Sequence, residues 1–108
     1  MTFAYVLTAK VSNMLLTAYC ACIVCCGHTH GITKSGRPAR VGITVACQRE
    51  MLNKKVYIEG LGIRTCDDTG SKITEDRIDV YFTSHKEALK FGVKRAKVFH
   101  FSIAKRRK

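Results

Sequence analysis

Cys66-Asp67-Asp68-Thr69-Gly70, followed after a short gap by Arg77-Ile78-Asp79-Val80-Tyr81-Phe82, decides how this chain is read. Ile78, Val80, Tyr81 and Phe82 favour strands, whereas aspartate is depleted there. An acid planted in such a run either faces solvent or occupies a pocket where lost hydration raises its pKa. A carboxyl that holds its proton near neutrality can act as a general acid, so Asp79 is the first candidate for chemistry. Asp68 stands before it in a glycine-bearing loop. Taken alone, Asp68-Thr69-Gly70 reads as an ordinary turn whose carboxylate caps backbone N–H groups.

Outward from this stretch the chain reads as strands, turns and one short helix. Two apolar runs, 3–9 and 14–20, are separated by the polar stretch Lys10-Val11-Ser12-Asn13. Residues 27–42 hold four glycines and the only proline, and are expected to form an extended loop. Val41 to Cys47 predicts a buried strand. Val56-Tyr57-Ile58 and Ile63-Arg64-Thr65 flank Glu59-Gly60-Leu61-Gly62, a hairpin pattern with glycines at the turn. Ile78 to Phe82 is a further strand. Ser84 and Glu87 form a capping-box pattern and Gly92 a stop, so a helix is expected over 85–91 with Ala88 and Phe91 inward. Val98 to Ile103 predicts a closing strand. Many short strands with one small helix suggest a closed barrel, which removes exposed sheet edges.

At 108 residues the chain suits one domain, 1–108, with a basic tail at 104–108. Its 46% apolar and 25% charged residues are near the globular average and argue against wholesale disorder. The net charge of +11 predicts attraction to nucleic acid, anionic membranes or anionic wall polymers. No zinc-finger or RNA-recognition pattern accompanies that charge, so specific nucleic-acid recognition is not expected. A membrane span is not expected either, because no window approaches eighteen uninterrupted apolar residues.

The run from Thr17-Ala18-Tyr19-Cys20 through Cys25-Cys26-Gly27, Gly31-Ile32-Thr33, Asp68-Thr69-Gly70 and Ile78-Asp79-Val80-Tyr81-Phe82 resembles the three-aspartate (3D) domain family. The resemblance continues into Ser84-His85 and Ala88-Leu89-Lys90-Phe91-Gly92 and covers roughly residues 15 to 101, in the family's motif order. It implies an all-β fold, a six-stranded double-psi β-barrel with one short helix. It also implies kinship with peptidoglycan-cleaving lytic transglycosylases of the membrane-bound lytic transglycosylase A type. Asp68 and Asp79 match the second and third aspartates of the family. Where the first would stand, the chain reads Val45-Ala46-Cys47-Gln48-Arg49, with Ala46 or Cys47 at that place.

A lytic transglycosylase needs no water nucleophile, because the muramic 6-hydroxyl attacks its own anomeric carbon and leaves a 1,6-anhydro end. An ordinary glycosidase needs two carboxylates; here one suffices to protonate the leaving oxygen and then accept the hydroxyl proton. The resemblance assigns that role to Asp79. Asp68 is expected to hold Asp79 and raise its pKa, as paired carboxylates do. Thr69 and Gly70 would shape the loop and leave room for sugar. Tyr19, Thr33 and Ser35 are candidate groove residues, since an aromatic face and hydroxyls suit a glycan. Tyr19 as core and Thr33-Lys34-Ser35-Gly36 as a surface turn are the plainer alternatives. His85 at the helix start is a candidate donor or a surface histidine.

Cys20, Cys22, Cys25 and Cys26 cluster with His28 and His30. The Cys22–Cys25 spacing suits zinc or a redox pair, with Cys22, Cys25, His28 and His30 as the ligand set. Disulfide bonding is the better explanation for a protein working outside the cytoplasm, and no cofactor is expected. Cys47 and Cys66 could approach each other near the missing first aspartate. The expected partner is the peptidoglycan glycan strand, and the expected place of action is the bacterial cell wall. No basic segment precedes the N-terminal apolar patches, so no secretory signal peptide is expected; delivery on a phage virion or release with phage lysis proteins would then bring the protein to the wall. Two alternatives stand beside catalysis: a non-catalytic glycan-binding or virion-structural barrel, and salt-sensitive nucleic-acid binding through the basic tail.

Overall fold

The computed structural model describes residues 3–20, 32–70, 73–74 and 76–107, with side chains described for residues 8 to 101 of these. Cys22, Cys25, His28 and His30 lie outside the described residues, and the zinc reading with them. Six strands, β1 (Phe3–Cys20), β2 (Thr44–Ala46), β3 (Lys55–Ile58), β4 (Gly62–Asp68), β5 (Arg77–Phe82) and β6 (Lys94–Arg107), close into a barrel in the order β1-β5-β2-β4-β3-β6. The pairs β1/β5 and β2/β4 are parallel, and the other four are antiparallel. This mixed, closed topology is consistent with the double-psi arrangement.

The core is aliphatic. Met14, Leu16, Val45, Val56, Ile58, Ile78, Val80 and Val98 pack inside the barrel with Cys47 and Cys66. The two cysteines form a disulfide with Cα atoms 5.6 Å apart. On β3 the pattern is strict: Val56 and Ile58 are buried while Lys55 and Tyr57 are exposed, as a strand with one buried face requires.

Several elements differ in extent from the sequence expectation. The two N-terminal runs form one strand of 18 residues, because Lys10-Val11-Ser12-Asn13 pairs in register with Lys97–His100 of β6. Polar residues do not interrupt a strand when they occupy its solvent-facing positions, and Lys10 and Asn13 are both exposed. β2 is shorter than Val41–Cys47: residues 41–43 form a turn with Gly42 at φ +82°, and Val41 is exposed. β6 begins at Lys94 and runs past Ile103.

The hairpin between β3 and β4 has Gly60 and Gly62 at φ +87° and +92°, a region costly for residues with a Cβ. The helix α1 (His85–Phe91) starts where its cap predicts: the Glu87 amide donates to Ser84 Oγ at 3.1 Å. Ala88 is buried, and Phe91 packs on Phe82 with centroids 5.1 Å apart.

Candidate active site

β5 alternates. Ile78 and Val80 enter the core, while Arg77, Asp79 and Tyr81 share the opposite face. Asp79 is in register with Thr17 on β1 and with Ala46 on β2. Thr17 donates to Asp79 Oδ1 at 2.9 Å and accepts from Arg77 Nε at 3.0 Å. The order Arg77–Thr17–Asp79 therefore orients the hydroxyl and fixes one carboxylate oxygen. Among the described residues the Thr17 bond is the side-chain hydrogen bond found to the Asp79 carboxylate.

The Asp79 carboxyl is pushed above its ordinary pKa, chiefly by burial; Asp68 adds a smaller upward push. The Thr17 hydrogen bond and the Arg77 charge act in the other direction without cancelling it. The paired-carboxylate expectation thus has the right sign, but lost hydration is the main cause.

Asp68 reaches the same face through an irregularity. Val45 pairs with Cys66, yet the next residue, Ala46, pairs with Asp68, so β4 carries one residue more than β2. That bulge re-aims the strand. Ala46 therefore sits between the two aspartates, which lie on the neighbouring strands either side of it. Asp68 Oδ1 accepts from the amides of Lys34 at 3.1 Å and Thr69 at 3.0 Å, the capping behaviour of a turn aspartate. Its Oδ2 lies 3.5 Å from the Tyr19 hydroxyl. Tyr19 is buried edge-on against Tyr81, centroids 5.5 Å apart, in a small cluster with Ala46 that backs the acids.

Thr33 and Ser35 stand in the neighbouring turn with their hydroxyls used inside it. Thr33 Oγ1 donates to the Arg37 carbonyl at 2.8 Å and lies 2.7 Å from Ser35 Oγ, which accepts from the Arg37 amide at 3.3 Å. Lys34, between them, lines a groove of about 480 Å³ together with Gln48, Arg49, Glu50, Thr69 and Gly70. A Cβ on Gly70 would come within 3.2 Å of the Ile73 side chain, so glycine lets Ile73 pack close against this part of the loop. His85 is half-buried, its Nδ1 4.0 Å from Cys20 Sγ.

Sequence reasoning passed over Asp67. The bulge turns it away from Asp68 into a fully buried site, where Arg37 forms an ion pair at 2.7 Å and the Thr44 hydroxyl donates at 2.8 Å. Arg37 also donates to Asn53 Oδ1 at 2.8 Å, and the Ser35 amide to the Asp67 carbonyl at 2.9 Å. Asp67 thereby ties down the loop that delivers Lys34 to Asp68. Two adjacent aspartates followed by Thr-Gly were the available signal, but their division of labour was not readable without the bulge. Arg37→Ala strands a buried carboxylate, a change that commonly costs about 3 kcal/mol or more. Because Arg37 is 44% exposed, water replaces part of the pairing; the expected loss is about 2 kcal/mol, read as a lower urea midpoint at unchanged slope.

Among the described residues no group of three or more His, Cys, Asp or Glu side chains is placed to hold a metal, and no helix is long and apolar enough to cross a membrane.

The sequence that builds this barrel and carries its two aspartates matches a known family. Residues 43–102 match the family model of the 3D domain, more than half of the chain, and the chain belongs to that family. It is 38% identical over 93 residues to "Putative cell wall shaping protein YabE" of Bacillus subtilis (strain 168), covering 84% of this chain and 23% of that protein. It is also 45% identical over 47 residues to "Cell wall-binding protein YocH" of the same organism, covering 44% of this chain and 16% of that protein. The chain thus spans less than a quarter of the length of these curated relatives.

Proposed function

We propose that this domain acts at the bacterial cell wall as a lytic transglycosylase, cutting peptidoglycan glycan strands with formation of 1,6-anhydro-muramic ends. The observation that carries the reading is Asp79: a carboxyl held by one oxygen, half-buried, and raised in pKa mainly by that burial. Such a group protonates the glycosidic oxygen as the bond breaks. As a carboxylate it then takes the proton of the muramic 6-hydroxyl while that oxygen closes on the anomeric carbon. The same acid returns to its starting state, and no water is consumed. Asp68 contributes negative charge toward the developing oxocarbenium ion and anchors the loop beside the sugar. The net charge of +11 favours residence near anionic wall polymers.

The test is mass spectrometry of purified sacculi incubated with the wild type and with Asp79→Asn. Anhydro-muropeptides from the wild type alone support the proposal, and reducing ends would show that water is the nucleophile. A non-catalytic wall-binding domain is the second reading. It is favoured by the name of the second relative and by the absence of a third acid at Ala46-Cys47. It predicts sedimentation with sacculi and no soluble product from either protein.

Thr17→Val provides a finer check. It removes a hydrogen bond that favours the ionised Asp79, so the carboxyl holds its proton to higher pH. The fall in activity on the alkaline side should therefore move to higher pH in a pH–rate profile of sacculus digestion.

A further inference from the structure

We propose that the groove beside Asp68 is a subsite for the peptide stem carried by the muramic sugar, and that Lys34, Arg49 and Glu50 read the charges of that stem. The inference rests on the peptidoglycan reading above and names the part of the polymer that this surface takes.

The groove holds a fixed position relative to the acids. Its three segments all connect to atoms of Asp68. The Lys34 amide and the Thr69 amide both donate to Oδ1, and the Cys47 amide, immediately before Gln48, donates to the Asp68 carbonyl at 2.9 Å. A ligand at Asp79 that extends over Asp68 therefore enters this groove. The two aspartates stand two strands apart, and two spacings of an ordinary sheet, roughly 9–10 Å, are covered by about three residues of extended peptide.

Its chemistry differs from that of a sugar platform. Among the described residues no aromatic ring lines it, and Ile73 is its one large apolar side chain. Glycan subsites commonly offer a ring for the sugar face; Tyr19 and Tyr81 are instead packed together behind the acids. The groove presents two cations, Lys34 and Arg49, one anion, Glu50, and the amide and hydroxyls of Gln48, Thr69 and Thr74. Lys34, Arg49 and Glu50 are all exposed to an incoming ligand. A wall stem peptide has the complementary set: carboxylates for Lys34 and Arg49, a diamino-acid amine for Glu50, and backbone amides for the neutral groups. A uniformly anionic chain such as a polyol phosphate would gain from the cations but be repelled by Glu50 and Asp68.

Binding is measured by retention on beads to which each polymer is coupled through its sugars, on an Asp79→Asn background, which keeps the polymer intact, with and without K34Q/R49Q. The probes are sacculi stripped of wall phosphate polymers, the same sacculi after amidase removal of the stems, and chitin. Amidase leaves the lactyl carboxylate on the sugar, so it separates that charge from those of the stem. The expected result is at least fivefold tighter binding to intact than to amidase-treated sacculi, with K34Q/R49Q erasing the difference and circular dichroism unchanged. Equal binding to intact and amidase-treated sacculi by the parent overturns the proposal, as does a preference that survives K34Q/R49Q. Tighter binding to amidase-treated sacculi also overturns it, in favour of the lactyl carboxylate. If wild-type protein releases no anhydro product while the preference and its loss are both observed, the stem subsite stands and the transglycosylase reading falls.

Discussion

Asp79→Asn is expected to lower the release of anhydro-muropeptides by about 10³-fold, within the range for removal of a general acid, and to raise the melting temperature at neutral pH. The two effects share a cause. Burial raises the Asp79 pKa, so the folded protein binds this proton more tightly than the unfolded chain. Its stabilising contribution is fully present below the ordinary carboxylate value of 3.8 and is lost as pH rises through the raised folded value. Above that point the native state carries a poorly hydrated carboxylate. Asparagine has nearly the same shape, can still accept from Thr17, and removes the charge. The variant should therefore be more stable than wild type at pH 7 and lose that advantage toward pH 3. Calorimetry at the two pH values, together with product analysis, checks both parts. Loss of activity with loss of stability at pH 7 would mean that the substitution damaged the fold and left the acid/base role undemonstrated.

Opening the Cys47–Cys66 bond is expected to cost about 3 kcal/mol, the chain-entropy value for a loop of this order. The cysteines are separated by 19 positions, and the segment between them contains β3 and most of β4. The bond sits within the aliphatic core with both residues almost fully buried, so its loss also loosens packing. For a domain of this size the melting temperature should fall by roughly 10–20 °C. The comparison is oxidised wild type against Cys47→Ala/Cys66→Ala without reductant, whose melting temperature should be lower by that amount. The Cys47 backbone amide that donates to the Asp68 carbonyl is kept in the double variant, so sacculus binding should change only as far as the fold loosens. A persistent bond of this kind belongs to an oxidising compartment, in keeping with work at the wall. The segment at the missing first aspartate thereby has a structural role, with Cys47 in the core and Ala46 facing the two acids.

The elements legible in the sequence were those whose cause is local. The α1 helix was read from Ser84, Glu87 and Gly92, because a cap and a stop act within one turn of chain. The β3–β4 hairpin was read from Gly60 and Gly62, because positive φ excludes most other residues. Asp79 stood out as an acid amid β-branched and aromatic neighbours, and its raised pKa follows from that setting. Closure was suggested by many short strands with one small helix and the double-psi type by the family likeness, but the strand order β1-β5-β2-β4-β3-β6 was not legible, since β propensity is indifferent to which strand lies alongside.

What escaped the sequence depends on register and on contacts between distant residues. Lys10–Asn13 looked like an interruption until pairing with β6 gave its polar side chains a solvent-facing edge. Thr33 and Ser35 carry the right hydroxyls for a groove, yet those groups are taken up by their own turn while Lys34 lines the opening. Above all, Asp67 and Asp68 are chemically identical neighbours, and strand alternation alone assigns neither to the site. The one-residue bulge against β2 sends Asp67 inward to Arg37 and Asp68 outward beside Ala46 and Asp79. Residue chemistry is local and was carried by the sequence. The facing of each side chain is a property of the closed barrel, because a shift of one residue in strand register exchanges its two faces.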